Sequence, residues 1–240
     1  MASSGTFTFS PSNGEIVLAA YERVDVRSPA IRAEHMSSAR RETNLMFSEW
    51  SNRGVTLWTL ARTQTTLTQG TATYSVNANT IMILDSSIVL NFGQANESRR
   101  YITPISYSEY ITYANQQTPG PPTVYFFDRQ IAPNITFWPV PDGNGPYTWD
   151  FYSYIQIQDA NFAGGETPNV PWRWNDAIVA GLAGRLAKIY PPQGAPMVDR
   201  ITFEKQRGED AEKAFSIAST QDTQNVPMKF SPNVLAYYPR

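Results

Sequence analysis

The chain has 240 residues, of which 41% are apolar and only 17% charged. That length suits one large domain or two small ones with a sizeable core, while a formal charge of −2 argues against a protein that coats DNA, because neutralising phosphates needs a basic surface. Cysteine is absent, which excludes a disulfide framework and a cysteine zinc site.

The first fifteen residues, MASSGTFTFSPSNGE, carry no basic-then-apolar leader pattern. The longest apolar run, Ala177 to Gly184, is far shorter than the ~20 residues that span a bilayer. The expectation is a soluble intracellular product with no membrane partner and no cofactor. SNGE at 12–15 reads as a capping box, in which Ser12 and Glu15 satisfy each other's backbone amides, and Val17, Tyr21 and Val24 follow as an apolar stripe. A second helix is predicted to start at Ser28, with Pro29 at its first position, and to carry Ile31, His35, Ala39, Met46 and Trp50 towards a stop at Gly54.

From Val55 to Asp159 the composition shifts to Thr, Val, Ile, Tyr and Trp in short runs broken by Gly, Pro and Asn. TLWTLART, TATYSV, TIMILDSSIVL, RYITPIS, TVYFFDR, ITFWPVP and YTWDFYSYIQ all read as strands, and close spacing of short strands predicts an antiparallel sandwich or barrel. Residues 106–122 predict a short helix running into a loop that prolines stiffen. The last two runs, joined by a proline-glycine turn, read as one hairpin with rings on both faces: Trp149, Phe151 and Ser153 on one, Asp150, Tyr152 and Tyr154 on the other.

PWRWNDAIVAGLAGRLAKIY predicts a third helix with Trp174, Ile178, Leu182, Leu186 and Ile189 as its core stripe and Ala177, Gly181 and Gly184 as a face that admits a close neighbour. A fourth runs from about Pro196 to Ser219, with Met197, Ile201, Ala211, Phe215 and Ala218 at helical spacing. Beyond it, TQDTQNVPMKFSPNVLAYYPR has rings and prolines but no period. The predicted architecture is α+β: a four-helix bundle from residues 1–54 and 166–220, an inserted antiparallel β-sandwich or barrel over 55–165, and an extended tail over 221–240.

Catalytic chemistry has few carriers. His35 is the single histidine and sits on an apolar stripe, no nucleophile elbow or phosphate-binding glycine loop is present, and the carboxylates Asp128, Asp142, Asp150 and Asp159 fall where turn formers are common. Paired carboxylates on a β-scaffold would suit a cell-wall glycosidase, and exposed Trp and Tyr would suit a carbohydrate-binding sandwich. Neither explains four framing helices. The pair Arg99-Arg100 reads as a solvated loop.

NLMFSEWSNRGVTLWTL, TPISYSEYITYANQQTPGPPTVYFFDRQ, ITFWPVPDGNGPYTWDFYSY and TPNVPWRWNDAIVAGLAGRLAKIY together resemble, in order, the head-to-tail adaptor family of short-tailed bacteriophages, also called tail tubular protein A or head-completion proteins. The resemblance implies a structural, non-enzymatic virion protein of the tail neck, assembled in the host cytoplasm. It implies a homo-oligomeric ring, twelvefold, between the portal protein and the next tail protein, with genomic DNA passing through the lumen without tight binding. Under that reading Tyr152 and Tyr154 face a neighbouring subunit, and Phe230, Leu235, Tyr237 and Tyr238 anchor the tail on the portal or an adjacent copy.

Overall fold

Helix α1, Asn13–Glu22, begins where its capping box lies: the Glu15 amide donates to the Ser12 hydroxyl at 3.3 Å, and the Ser12 amide donates to the Glu15 carboxylate at 2.7 Å. The computed structural model that shows this describes residues 5–6, 8–54, 57–161, 165–192, 194 and 196–222. Val17, Tyr21 and Val24 are buried as their spacing requires. Helix α2, Ala33–Arg53, starts later than the Ser28–Pro29 signal predicts, because residues 28–30 close a separate 3-10 turn and Arg32 is extended. The first turn of α2 is fastened by His35, whose Nδ1 accepts from the Arg32 amide at 3.1 Å.

Helix α3, Tyr107–Tyr110, is a single turn capped by Ser106. Helices α4, Asn175–Ile189, and α5, Met197–Gln221, complete the bundle, with α4 touching α1, α2 and α5. Trp174, Ile178, Leu182 and Leu186 are all buried to 1% exposure or less, whereas Ile189 at the helix end is half exposed. The close approach foreseen for the small-residue face is real. A Cβ added at Gly184 would lie 3.1 Å from the Arg207 carbonyl oxygen and 3.3 Å from the Ala211 Cβ.

The stripe predicted along α5 is only half buried. Ala218 is in the core and Phe215 packs on Trp50 and Trp174, but Met197 and Ile201 stand in solvent. The register explains why. Gly184 faces Arg207 and Ala211, and Trp174 faces Phe215, so the antiparallel pairing leaves the first turns of α5 projecting past the end of α4, where no described residue covers Met197 or Ile201.

Among the described residues the inserted region holds eight strands: β1 Leu60–Thr66, β2 Thr73–Ser75, β3 Thr80–Leu90, β4 Ser98–Tyr101, β5 Thr103–Pro104, β6 Val124–Phe127, β7 Asn134–Trp138 and β8 Tyr147–Ile155. They form two four-stranded sheets with orders β1-β8-β3-β4 and β2-β7-β6-β5. All pairings between these strands are antiparallel except β5 with β6, which is parallel and corrects the antiparallel expectation; an isolated bridge between Pro119 and Val140 is parallel too. The second correction concerns the hairpin. β7 and β8 belong to different sheets, so the proline-glycine connection carries the chain across the sandwich and the two strands face one another through the core. Phe137 of β7 meets Trp149 of β8 edge-on at 5.2 Å, and Trp149 stacks on Phe151 at 3.7 Å. Trp58, predicted at the start of a strand, lies in a 3-10 turn, Leu57–Thr59, and its ring packs on Trp174.

Past β8 the chain is sewn to α2. The Ala160 amide donates to the Asn44 side-chain oxygen at 2.7 Å, the Ile157 amide donates to the Ser51 hydroxyl at 3.4 Å, and Ile157 and Ala160 enter the core built by Met46, Phe47, Trp50 and Ile178.

Candidate interaction surfaces

Each carboxylate considered for hydrolysis is already engaged or open to water. Burial pushes Asp128 up, but the Asn134 and Gln130 amides and the Asn134 side chain outweigh it and hold its carboxyl below the usual range. Asp142 is lowered first by the Asn144 amide and then by the Tyr147 hydroxyl at 2.8 Å, so both residues act as turn formers. Asp159 is exposed. The ring of His35 packs against Tyr21 and Tyr190, with centroids at 5.6 and 4.8 Å. Among the described residues no group of three or more His, Asp or Glu side chains comes together to hold a metal ion.

Asp150 occupies the centre of sheet β1-β8-β3-β4 on its outer side. Its buried carboxylate accepts two bonds from Arg62, at 2.9 and 2.7 Å, and a third from Arg99 at 2.7 Å, while Arg99 also donates to Ser87. The Arg62 bonds are the main cause of an acid pKa lowered to about 2, with Arg99 adding to them against the cost of burial. Cross-strand geometry makes the cluster: β8 lies between β1 and β3, and β4 borders β3, so Arg62 and Arg99 reach Asp150 from opposite sides. Arg99 is therefore a structural ligand of a carboxylate and not part of a solvated loop.

The two tyrosines assigned to an intersubunit face part company. Tyr152 is 42% exposed with the Arg62 guanidinium over its ring at 5.8 Å, whereas Tyr154 is 2% exposed and donates its hydroxyl to the Gly54 carbonyl at the end of α2. Most of the ring-rich second face of β8 is thus satisfied inside one chain, by an ion cluster and by the bundle. Tyr152 is what remains outside.

The bundle carries its own exposed apolar groups. At one end Met197, Val198 and Ile201 project from the overhang of α5. At the other, Phe9 and Trp172 stand over a groove between α1 and α4. Between these ends, Arg53 pairs with Glu49 and Glu212 and Arg185 with Glu42 and Glu49, tying α2 to α4 and α5. Sequence reasoning did not single out Phe9 or Trp172. Phe9 lies in a polar stretch with no period, and Trp172 is two residues from the core Trp174, so spacing alone cannot say which ring is outside.

A family model described as SU10 adaptor protein matches residues 30–232. The chain belongs to that family. The match supports a phage head-tail adaptor, and no curated protein matches the chain. In this adaptor the matched span takes in α2, both sheets, α4 and α5, and it leaves α1 outside. Among the described residues of the adaptor, no helix is long and apolar enough to cross a membrane. Phe230, Leu235, Tyr237 and Tyr238 lie outside the described residues.

Proposed function

We propose that this family member is a structural virion protein, not an enzyme, that joins the portal to the rest of the tail. Copies of it form a ring, twelvefold, that seats beneath the portal vertex and presents a platform to the next tail protein, in the manner of the tail tubular proteins of short-tailed phages. Genomic DNA passes through the lumen without being gripped. The observation that carries this reading is the family match, which runs without a break from the turn before α2 through the sandwich to the far side of α5.

Composition supports it. A channel through which DNA slides should not hold it, and a chain with a net charge of −2 generates no strong attractive field for phosphate. Surface anatomy supports it as well. A ring with head-to-tail contacts needs two different patches on each protomer, and the protomer offers spatially separate ones: Tyr152 on the sandwich, and Met197, Val198 and Ile201 on the bundle. The division into bundle segments 1–54 and 166–220, insert 55–165 and tail 221–240 is part of the same proposal, with Phe230, Leu235, Tyr237 and Tyr238 as anchors on the portal or an adjacent copy. Binding of purified protein to purified portal rings, followed by sedimentation and electron microscopy, tests the reading; the expected product is a collar of density on one portal face, and protein that never cosediments with portal contradicts it.

A further inference from the structure

A groove of about 760 Å³ runs between α1 and the turn that leads into α4, lined by Ile16, Ala19 and Val179 and flanked by Phe9 and Trp172. Those two rings are 80% and 76% exposed, a large apolar investment for a surface that no other described residue covers. Among the described residues the charged side chains in the lining are Glu15 and Asp176, and no Lys or Arg is among them. Glu15 is engaged by Ser12 and Asp176 by Arg23 at 2.6 Å, yet Asp176 keeps most of its carboxyl in solvent.

The chain's own C-terminal segment starts one residue removed from this groove's lining, through a contact with Arg173. Asp222, where the described residues end, accepts from Arg173 and from the Leu57 amide at 3.1 Å, and Arg173 directly follows the groove residue Trp172. The eighteen residues after it, TQNVPMKFSPNVLAYYPR, contain two charges, Lys229 and Arg240, both positive, against the acidic rim. They also contain apolar side chains and three prolines. Proline-bearing extended segments suit aromatic-lined grooves because little conformational freedom is lost on docking. Reach is ample: the eight residues from Asp222 to Phe230 span up to roughly 26 Å when extended, and ten-residue α1 is roughly 15 Å long.

We propose that residues 226–238 dock in this groove of their own chain in the free protein, with the rings of the segment against Phe9 and Trp172 and Lys229 towards Glu15 and Asp176. Tethering at Asp222 raises the local concentration of the segment to the millimolar range, so even weak contacts keep the groove filled, and a second copy must compete against that. The inference concerns the free chain and stands apart from the ring reading.

The absence of native cysteine makes the test clean. Spin labels are attached at E22C on exposed α1 and S231C in the segment, and the doubly labelled full-length chain is diluted tenfold into unlabelled protein for pulsed dipolar measurement. Docking gives one narrow distance component that survives dilution and is lost in W172S, a substitution of an exposed side chain that leaves the core intact. A broad distribution in the full-length chain overturns the proposal. So does a narrow component that disappears on dilution, which assigns the groove to a second copy, and so does one that W172S leaves unchanged, which places the segment elsewhere.

Discussion

Three helical glycines separate the packing of α4 on α5 and α2 from helix propensity. Alanine in a helix interior is favoured over glycine by roughly 1 kcal/mol, and at Gly208 of α5 an added methyl meets nothing within 4 Å, so Gly208→Ala should stabilise by about that amount. At Gly184 the same methyl lies 3.1 Å from a carbonyl oxygen and 3.3 Å from a Cβ of the neighbouring helix. Both are backbone or directly attached to it, so relief requires moving α5. Overpacking of this kind costs about 1–3 kcal/mol, which offsets the propensity gain or exceeds it. Gly184→Ala should therefore fall below Gly208→Ala by about 1–3 kcal/mol, a separation of several degrees in Tm for a chain of this size. Parallel urea and thermal melts followed by circular dichroism measure it, the shared propensity term cancelling between the two variants. Gly181→Ala should also destabilise relative to Gly208→Ala, since its methyl would meet the buried Met46 sulfur at 2.5 Å. If Gly184→Ala is as stabilising as Gly208→Ala, α5 does not rest against α4 as described.

Leu182→Asp places an uncompensated charge at a fully buried point of α4, at about 3–5 kcal/mol within a typical total of about 5–15 kcal/mol, and should yield no soluble protein with a cooperative melt. Tyr152→Ser should leave the melt unchanged while weakening self-association in sedimentation, whereas Tyr154→Ser, which empties a buried site and removes the hydroxyl from Gly54, should lower stability by about 3 kcal/mol. Asp150 has a folded pKa depressed to about 2 from an unfolded value near 3.9, so its contribution is present in full above pH ~4 and is lost as pH falls towards 2. Asp150→Asn should lose up to about 2 kcal/mol at neutral pH, less whatever solvent screens at the partly exposed guanidinia, and should flatten stability between pH 4 and 2 in acid titrations of the melt.

Local chemistry was legible in the sequence, and pairing across distance was not. Ser12 and Glu15 announced α1 because a capping box is complete within four residues, and the β-branched and aromatic runs marked the strands because each strand's propensity is its own. The crossing from β7 to β8 was misread since a proline-glycine turn between two strands looks the same whether the chain reverses within a sheet or changes sheet. What decides is that β8 finds both neighbours, β1 and β3, far away in sequence. Arg99 looked solvated for the same reason: its carboxylate, Asp150, is on a strand the sequence gives no reason to place two positions away. Met197 and Ile201 kept helical period without burial, because α4 has fifteen residues and α5 twenty-five, and period cannot reveal where a partner ends. Of the surface candidates, Tyr152 and Tyr154 carry one and the same signal, rings on one side of a strand, and only the end of α2 meeting Tyr154 at Gly54 separates the exposed one from the buried one. Phe9 and Trp172 carry none, since exposure of a ring depends on which neighbours arrive.

The claim at the centre of this account is that the chain works as a ring between portal and tail, and cryo-electron microscopy of the full-length protein bound to isolated portal rings tests it most directly. The account predicts a closed ring of twelve copies on one portal face, with the sandwich of each protomer, Tyr152 outermost, against the bundle of the next. Single protomers scattered on the portal, or a ring whose contacts leave both Tyr152 and the α5 overhang in solvent, would contradict it.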